Sequence, residues 1–406
     1  MDANLAGLRR NGYDPRSDVF LRGLKGVSLH GEFRRSGSVG SGWMSLATGS
    51  GPRGDSSLDY DLVVCGSGPA GSTAASVAAD AGLRTLLVEK RGPPRDKTCG
   101  GLLTKACVEI VRRTLRTEVP ADVQIPPSPM PIFVVPPSGM SKAFLVPDEY
   151  VLNVTRRAFD GWLAREAVAR GAEILADSEA MDFGLGGDHV DVRVATGGRS
   201  RSIRARYLIG ADGVYSKVRQ QLRPRPYADR AYYIQEFYPR VGRFEDWFYL
   251  MYRGDTSSIY AYVIPKEDLL CLGIGVHKSL PPTFEDGMSR FKEWLRTEFG
   301  FRDEGVRKRE GFGVPFGNVD LGEGRVLLAG DAAGFCYPPT GEGITFAMQS
   351  GAAAARAVAV GDNERVLARY RSEMAGVAQW VQAAADRTRH ITDAERERRI
   401  FSKAGL

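Results

Sequence analysis

The chain has 406 residues, 43% of them apolar, enough to bury the core of one large domain or of two to three interlocked ones. Its formal charge of +6 arises from 55 Lys and Arg against 49 Asp and Glu, with the arginines spread along the chain rather than held in blocks. That suits an anionic cofactor or a phosphorylated substrate. With no zinc-finger or helix-turn-helix pattern beside it, nucleic acid is not an expected partner. The five cysteines (Cys65, Cys99, Cys107, Cys271 and Cys336) form no CxxC pair, so neither a metal site nor a structural disulfide is expected and the compartment reads as reducing. No apolar run reaches the length of a membrane span and no apolar signal core opens the chain. The expectation is a cytoplasmic protein, soluble or held peripherally at a membrane.

Residues 1–57 differ from the rest: they are rich in Gly, Ser and Arg, poor in apolar periodicity, and carry eight Lys and Arg against five acids. They read as a disordered extension. Order begins at Tyr60. Asp61-Leu62-Val63-Val64-Cys65 is a short apolar strand, followed by Gly66-Ser67-Gly68-Pro69-Ala70-Gly71 and a small-residue helix to Ala81. Thr85-Leu86-Leu87-Val88 is a second strand that delivers Glu89, 23 residues after Gly66. Strand, glycine turn, helix and strand in this register predict a dinucleotide site. Gly66 permits the turn, Gly68 admits a pyrophosphate to the backbone, Gly71 lets helix and strand pack closely, and the acid reaches a ribose diol.

A charged loop follows, closed by Lys97-Thr98-Cys99-Gly100-Gly101, where Cys99 beside two glycines can approach a flat ligand. Thr104 to Leu115 predicts a helix, and the proline-rich stretch after Pro120 leaves the nucleotide domain with a strand at Ile132-Phe133-Val134-Val135. Short strands are predicted at Lys142–Val146 and Val151–Val154, and a helix opens at Arg156 with Phe159, Leu163 and Ala167 on its inner face. Leu208-Ile209-Gly210-Ala211-Asp212-Gly213 is a second junction, an apolar strand that delivers an acid and a glycine at its end, where α/β proteins bind ligands. From Tyr232 to Tyr262 the chain is dense in aromatics. Three alternating segments, 247–252, 258–264 and 270–276, predict an antiparallel sheet, whose aromatics can be plain core or line an apolar substrate cavity. Phe284 to Phe299 is an amphipathic helix over it. Arg325 to Gly330-Asp331 returns to the nucleotide domain, with Asp331 placed to accept from a sugar hydroxyl. The loop Thr340-Gly341-Glu342-Gly343 then opens a small-residue helix at Ile344, whose backbone N–H groups can face a developing negative charge on a ligand.

The expected class is α/β: a dinucleotide-binding, Rossmann-like domain interlocked with an antiparallel-sheet substrate domain and C-terminal helices. The expected divisions are 58–119, 147–226 and 310–362 for the first, 120–146 and 227–309 for the second, and 363–406 for the helical end.

The three junctions at Gly66-to-Glu89, Asp212-Gly213 and Gly330-Asp331 resemble the fingerprints of FAD-dependent enzymes of the p-hydroxybenzoate hydroxylase fold, and Arg156 resembles that fold's FAD-side arginine. Within the group, Lys97-Thr98-Cys99-Gly100-Gly101, the aromatic strand Tyr260-Ala261-Tyr262-Val263-Ile264-Pro265-Lys266 and Thr340-Gly341-Glu342-Gly343-Ile344 make the chain similar to the geranylgeranyl reductase family. The resemblance implies FAD contacts at Gly66, Gly68, Pro69, Ala70, Gly71, Glu89, Lys90, Cys99, Gly100, Gly101, Arg156, Asp212, Gly213, Gly330, Asp331, Gly341, Glu342, Gly343 and Ile344. It also implies reduction of isolated C=C bonds in a polyprenyl substrate by hydride transfer from reduced flavin N5 with protonation.

An isolated alkene has no neighbouring carbonyl to take up charge, so an acid must accompany the hydride. Cys99, the tyrosines of the sheet with Tyr260 and Tyr262 foremost, and a water network at the flavin are the candidate acids, and the residues alone do not choose among them. Lys266 can meet an anionic head group or be a solvated surface lysine. The family often has Trp and Phe where this chain has Tyr262 and Ile264, which leaves room for a different acceptor. The Tyr-x-Tyr-x-Ile-Pro stretch also resembles a motif of flavin-dependent halogenases. The alternative activity is therefore a flavin-dependent monooxygenase or halogenase acting on an aromatic or other hydrophobic small molecule. The expected partners are a hydrophobic substrate with a phosphate or quinone head group and an electron donor, NAD(P)H, ferredoxin or another reductase, in a monomer or homodimer.

Overall fold

The computed structural model describes residues 58–223, 229–277, 280–361 and 365–404; the extension expected over 1–57 lies outside them. The chain opens with β1 (Tyr60–Cys65), α1 (Pro69–Asp80) and β2 (Thr85–Val88). β1 runs parallel to a neighbour on each side, so its Leu62, Val63 and Val64 are fully buried, as a continuous apolar run in a covered parallel sheet should be. Proline at the first turn of α1 brings the helical φ ready-made.

After the charged loop come β3 (Leu102–Thr104) and α2 (Lys105–Leu115), capped by Thr104, whose hydroxyl accepts from Cys107 N. β4 (Met130–Val135), β5 (Phe144–Asn153) and α3 (Arg156–Ala169) follow, the last capped by Thr155. The chain then lays down β6 (Glu173–Leu175), the meander β7 (Ser178–Leu185), β8 (Val190–Thr196) and β9 (Arg199–Gly210), and the short α4 (Lys217–Leu222). The second half supplies β10 (Arg230–Pro239), β11 (Phe248–Met251), β12 (Ala261–Lys266), β13 (Leu269–His277), α5 (Phe284–Phe299) and β14 (Lys308–Pro315). It ends with β15 (Gly322–Glu323), β16 (Val326–Leu328), α6 (Ile344–Ala359), α7 (Val366–His390) and α8 (Asp393–Ala404).

Two eight-stranded sheets result. The first has the order β15-β16-β9-β1-β2-β6, with β7 and β8 attached beside β9. The second is β14-β10-β13-β12-β11-β4-β5-β3. The expected α/β architecture, a Rossmann-like sheet interlocked with a second sheet and followed by helices, is the one observed.

Three details differ from the sequence reading. The second sheet is mixed, because β11 and β4 pair parallel; they lie far apart in sequence, so no hairpin imposes an antiparallel return. The two short strands expected around 142–154 are one strand, β5, which passes through Pro147 and a left-handed Asp148 at φ 55°. The expected divisions at 146/147 and 309/310 therefore fall inside β5 and β14, and β3 also joins the second sheet. Local patterning marks these segments as strands, whereas pairing partners far away in sequence decide which sheet they join.

The second sheet has two unlike faces. One is sealed by α5, whose Met288, Phe291, Leu295 and Phe299 form a buried stripe with Tyr249, Met251, Val263 and Leu272. The other carries Tyr233, Leu250, Tyr252, Tyr260, Tyr262 and Ile264 and packs with Cys336 of the β16–α6 connection and with Ala385 and Ile400 of the last two helices. This second face and the carboxyl ends of the first sheet frame the candidate site.

Candidate functional site

Each glycine of the first turn has its own reason. A Cβ on Gly66, at φ +98°, would lie 2.6 Å from Ala211 O, and one on Gly71 would lie 1.8 Å from Gly66 O. Both positions exclude any side chain. At Gly68 a Cβ would meet only Arg95 Nη2 at 3.5 Å, so this glycine keeps a passage open instead of a contact. Pro69 and Ala70 start α1, and no side chain caps it, which leaves its first N–H groups for a ligand. Ala70 also gives its carbonyl to a helix crossing, since a Cβ on Gly351 of α6 would lie 2.1 Å from it.

Glu89 is buried at the end of β2 and braces the turn. Its carboxylate accepts from Ser67 N at 2.8 Å, Ser67 Oγ at 2.9 Å and Arg91 N at 3.0 Å, and pairs with Arg95 Nε at 3.1 Å. Burial alone would raise its pKa, but Arg95 and these hydrogen bonds outweigh it and hold the group below the usual glutamate value. Lys90, next in the chain, is exposed. At the second junction Asp212 Oδ2 accepts from Lys217 N at 2.8 Å and so orders the start of α4. Its Oδ1 is buried without a hydrogen-bond partner, and burial raises its pKa despite those bonds. Gly213, at φ +83°, has open space where a Cβ would stand.

At the third junction Gly330, at φ +61°, packs its Cα against α1, where a Cβ would be 3.0 Å from Ala70 Cβ. Asp331 pairs with Lys97 at 3.4 Å, and Lys97 also sits 4.2 Å over the Phe312 ring. The loop Thr340-Gly341-Glu342-Gly343 is folded on itself by Gly341 N→Tyr337 O and Tyr337 N→Glu342 O, each 2.7 Å. Glu342 takes hydrogen bonds from Thr104 and Thr345, which locks the loop to α2 and α6. Gly343 caps α6 with no side-chain bond. The Ile344 side chain joins Leu103, Cys107 and Trp162 in a core cluster, so what it can offer a ligand is its backbone N–H.

The Cys99 loop comes to the same place. Gly101 N donates to Cys99 Sγ at 3.4 Å. Gly101 stands at φ +67° with Val154 O 1.9 Å from its Cβ position, so the glycine pair is required by the β5–α3 junction. Arg156 is buried and makes two 2.7 Å bonds to Asp160. Burial alone would lower its pKa, but Asp160 and the Cys99 sulfur overcome it and raise the value. Arg95 adds a second cation, 3.5 Å from Asp160. Lys266 is only partly buried by surface area, yet its ammonium is turned inward. It donates to Asn153 Oδ1 and to Val154 O at 3.4 Å, and lies 3.3 Å from the Gly101 Cβ position. Burial pushes its pKa down to about 8, so the solvated-lysine reading does not hold.

The tyrosines meet these loops from the second sheet. Tyr260 donates to Thr340 O at 2.7 Å and so ties β12 to the glycine loop. Tyr262 donates to Gln235 Oε1 at 3.0 Å, which also receives Cys271 Sγ at 3.5 Å, while Gln235 Nε2 donates to Glu310 at 2.9 Å. Of the expected proton donors, Tyr260 and Tyr262 already donate to protein acceptors. Residues that sequence reasoning passed over include Arg95, Gln235, Asn153 and Tyr233. A signal for the last was present in the Gly273-Ile274-Gly275 run. A Cβ on Gly273 would lie 1.9 Å from Tyr262 Cζ and one on Gly275 2.6 Å from Tyr233 Cε1, so these glycines exist to seat rings.

An open Gly68, two uncapped helix starts and a buried unpaired carboxylate oxygen on Asp212 fit an extended dinucleotide that crosses from α1 to α6. The site and fold define a flavin-dependent oxidoreductase. Residues 59–238 match the family model of an FAD binding domain. A digeranylgeranylglycerophospholipid reductase of Methanopyrus kandleri is 33% identical over 72% of this chain and 79% of its own length. Another, of Methanosarcina mazei, is 30% identical over 75% and 77%. A chloroplastic geranylgeranyl diphosphate reductase of rice is 28% identical over 81% and 74%. Among solved structures, a geranylgeranyl bacteriochlorophyll reductase-like protein of Thermoplasma acidophilum superposes with a TM-score of 0.73 at 22% identity, over 86% of this chain and 92% of that one. A flavin-dependent brominase reaches 0.64 at 21%, over 85% and 94%, a likeness of fold. The chain belongs to the geranylgeranyl reductase family of FAD-dependent oxidoreductases. No helix among the described residues is long and apolar enough to cross a membrane, and no described cluster of three His, Cys, Asp or Glu could hold a metal.

Proposed function

We propose that this enzyme saturates isolated C=C bonds of a polyprenyl substrate. The observation that carries the reading is the apolar, aromatic face of the second sheet that lies between the glycine loops and the last two helices. The face not sealed by α5 is apolar from Ile132 and Val134 through Leu250 to Ile264, and it ends against the Cys99 and Thr340–Gly343 loops. An aliphatic chain entering between this face and the helices would bring an alkene to the loops, its own apolar surface gaining roughly 25 cal/mol per Å2 removed from water.

FAD, when bound and reduced, supplies the hydride. The protein's part is to hold it and to bring an acid. Gly66 to Gly71 and the α1 start would take its pyrophosphate, Glu89 a ribose, Asp331 the ribityl side, and Gly341 to Gly343 the ring edge. Lys266 and Asn153, beside Gly101, would meet a phosphate or quinone head group. NAD(P)H or a ferredoxin-type protein would reduce the flavin, and contact with a membrane surface would deliver a lipid acceptor.

The test is anaerobic. Purified protein is loaded with FAD, photoreduced and offered geranylgeranyl diphosphate, a prenylquinone and an unsaturated archaeal-type lipid. The expected product is heavier by about 2 Da per reduced bond. A strict need for oxygen, or for chloride or bromide, would give the reaction to the monooxygenase or halogenase alternative.

A further inference from the structure

The tyrosines facing the glycine loops are not equivalent. Tyr260 and Tyr262 give their protons to Thr340 O and Gln235 Oε1. Tyr233 is fully buried, and its hydroxyl has no hydrogen-bond partner among the described residues. Its ring is seated against two glycines. A Cβ on Gly275 would lie 2.6 Å from Cε1, and a Cβ on Gly341 would lie 2.6 Å from Cζ and 2.7 Å from the hydroxyl oxygen. Gly341 is at φ +62°, so the loop turns its bare Cα toward this hydroxyl. The Tyr260 ring lies 5.9 Å away at 50°. Buried donors are nearly always paired in a fold, and one left unpaired points to a ligand or a reaction.

We propose that Tyr233 is the proton donor to the alkene. The assignment rests on the reductase reading above. The Tyr233 O–H bond breaks as a C–H bond forms at one alkene carbon, and the hydride supplied by the reduced cofactor forms the C–H bond at the other. The substrate gains two electrons, the cofactor gives them up, and the tyrosinate recovers a proton from water. Burial pushes the Tyr233 hydroxyl well above the usual tyrosine range. The donor is thus protonated at neutral pH. Cys99, by contrast, accepts from Gly101 N.

Tyr233→Phe removes the hydroxyl and keeps the ring. Wild type and variant, both loaded with FAD and photoreduced, are mixed without oxygen with geranylgeranyl diphosphate. Flavin reoxidation and product mass are followed, and FAD Kd and the Tm of the FAD-free protein are measured alongside. The variant should lose at least ~100-fold in reoxidation rate, as expected for removal of a general acid. Its FAD Kd should stay within about two-fold, and its Tm should be unchanged or higher, since no hydrogen bond is lost. A reoxidation rate within about three-fold of wild type would overturn the role while leaving alkene reduction in place. So would a lowered Tm or a roughly tenfold weaker FAD Kd, which would make Tyr233 a brace for the loop. Wild type inert toward every alkene would bring down the reductase reading and this assignment together.

Discussion

The two sheets build their halves of the site by opposite means. The first sheet uses backbone. Gly66 and Gly71 are closed to side chains by carbonyls at 2.6 and 1.8 Å, and what remains for a ligand is N–H groups and the space at Gly68. The second sheet uses side chains, and its glycines serve them: Gly273 and Gly275 give up their own volume to the rings of Tyr262 and Tyr233. A backbone cradle recognises what is common to all dinucleotides. A surface of side chains can be retuned one residue at a time, and there this chain has Tyr262 and Ile264.

The largest effect should come from closing the cradle. Gly71→Val places a side chain on a carbonyl and should cost more than about 4 kcal/mol, with FAD lost, as a denaturant midpoint and a flavin-to-protein ratio will report. Gly68→Ala sharpens the contrast, because its Cβ meets only Arg95. Stability should change by less than about 1 kcal/mol while FAD Kd rises, since the passage and not the packing is what is filled. On the other sheet, Gly273→Ala should cost about 1–3 kcal/mol by pushing the Tyr262 ring off its seat. FAD binding should survive nearly unchanged in calorimetry, and alkene turnover should not.

The smallest effect is electrostatic. The folded-state pKa of Lys266 is about 8, below the ordinary lysine value. Between the two the unfolded chain holds more protons, so this group makes stability rise with pH from about 8 to about 10.4. Lys266→Met should remove that rise and leave a flatter profile in pH-dependent urea unfolding. Glu89 has the opposite character. Its folded pKa lies below the usual value, so its contribution is present above about pH 4.3 and fades as pH falls through the folded value; Glu89→Gln should blunt this acid loss.

The backbone half of the site was the more legible in sequence, for a physical reason. A glycine required by a carbonyl 1.8 Å away leaves a fixed spacing, and an acid at the end of the next strand completes it, so Gly66, Gly71 and Glu89 are local facts. The side-chain half depends on register across strands. That Tyr260 ties Thr340, that Gln235 takes Tyr262, and that Tyr233 lies against Gly341 require β10, β12 and β13 in alignment with a loop some 80 to 110 residues further on, which no local pattern encodes. The same limit explains the strand assignments. β3, β5 and β14 have ordinary strand patterns, and only their long-range partners place them in the second sheet. Lys266 followed a proline at a strand end, a position that reads as surface, and only the fold turns its ammonium inward toward Asn153.

The central claim is that the cradle holds a flavin whose electrons leave across the tyrosine face to an alkene. The most direct measurement is anaerobic stopped-flow absorbance of the photoreduced protein mixed with geranylgeranyl diphosphate. The account predicts recovery of the oxidised flavin spectrum without oxygen, one flavin equivalent per double bond saturated. A flavin that stays reduced beside every prenyl acceptor until oxygen is admitted would contradict it.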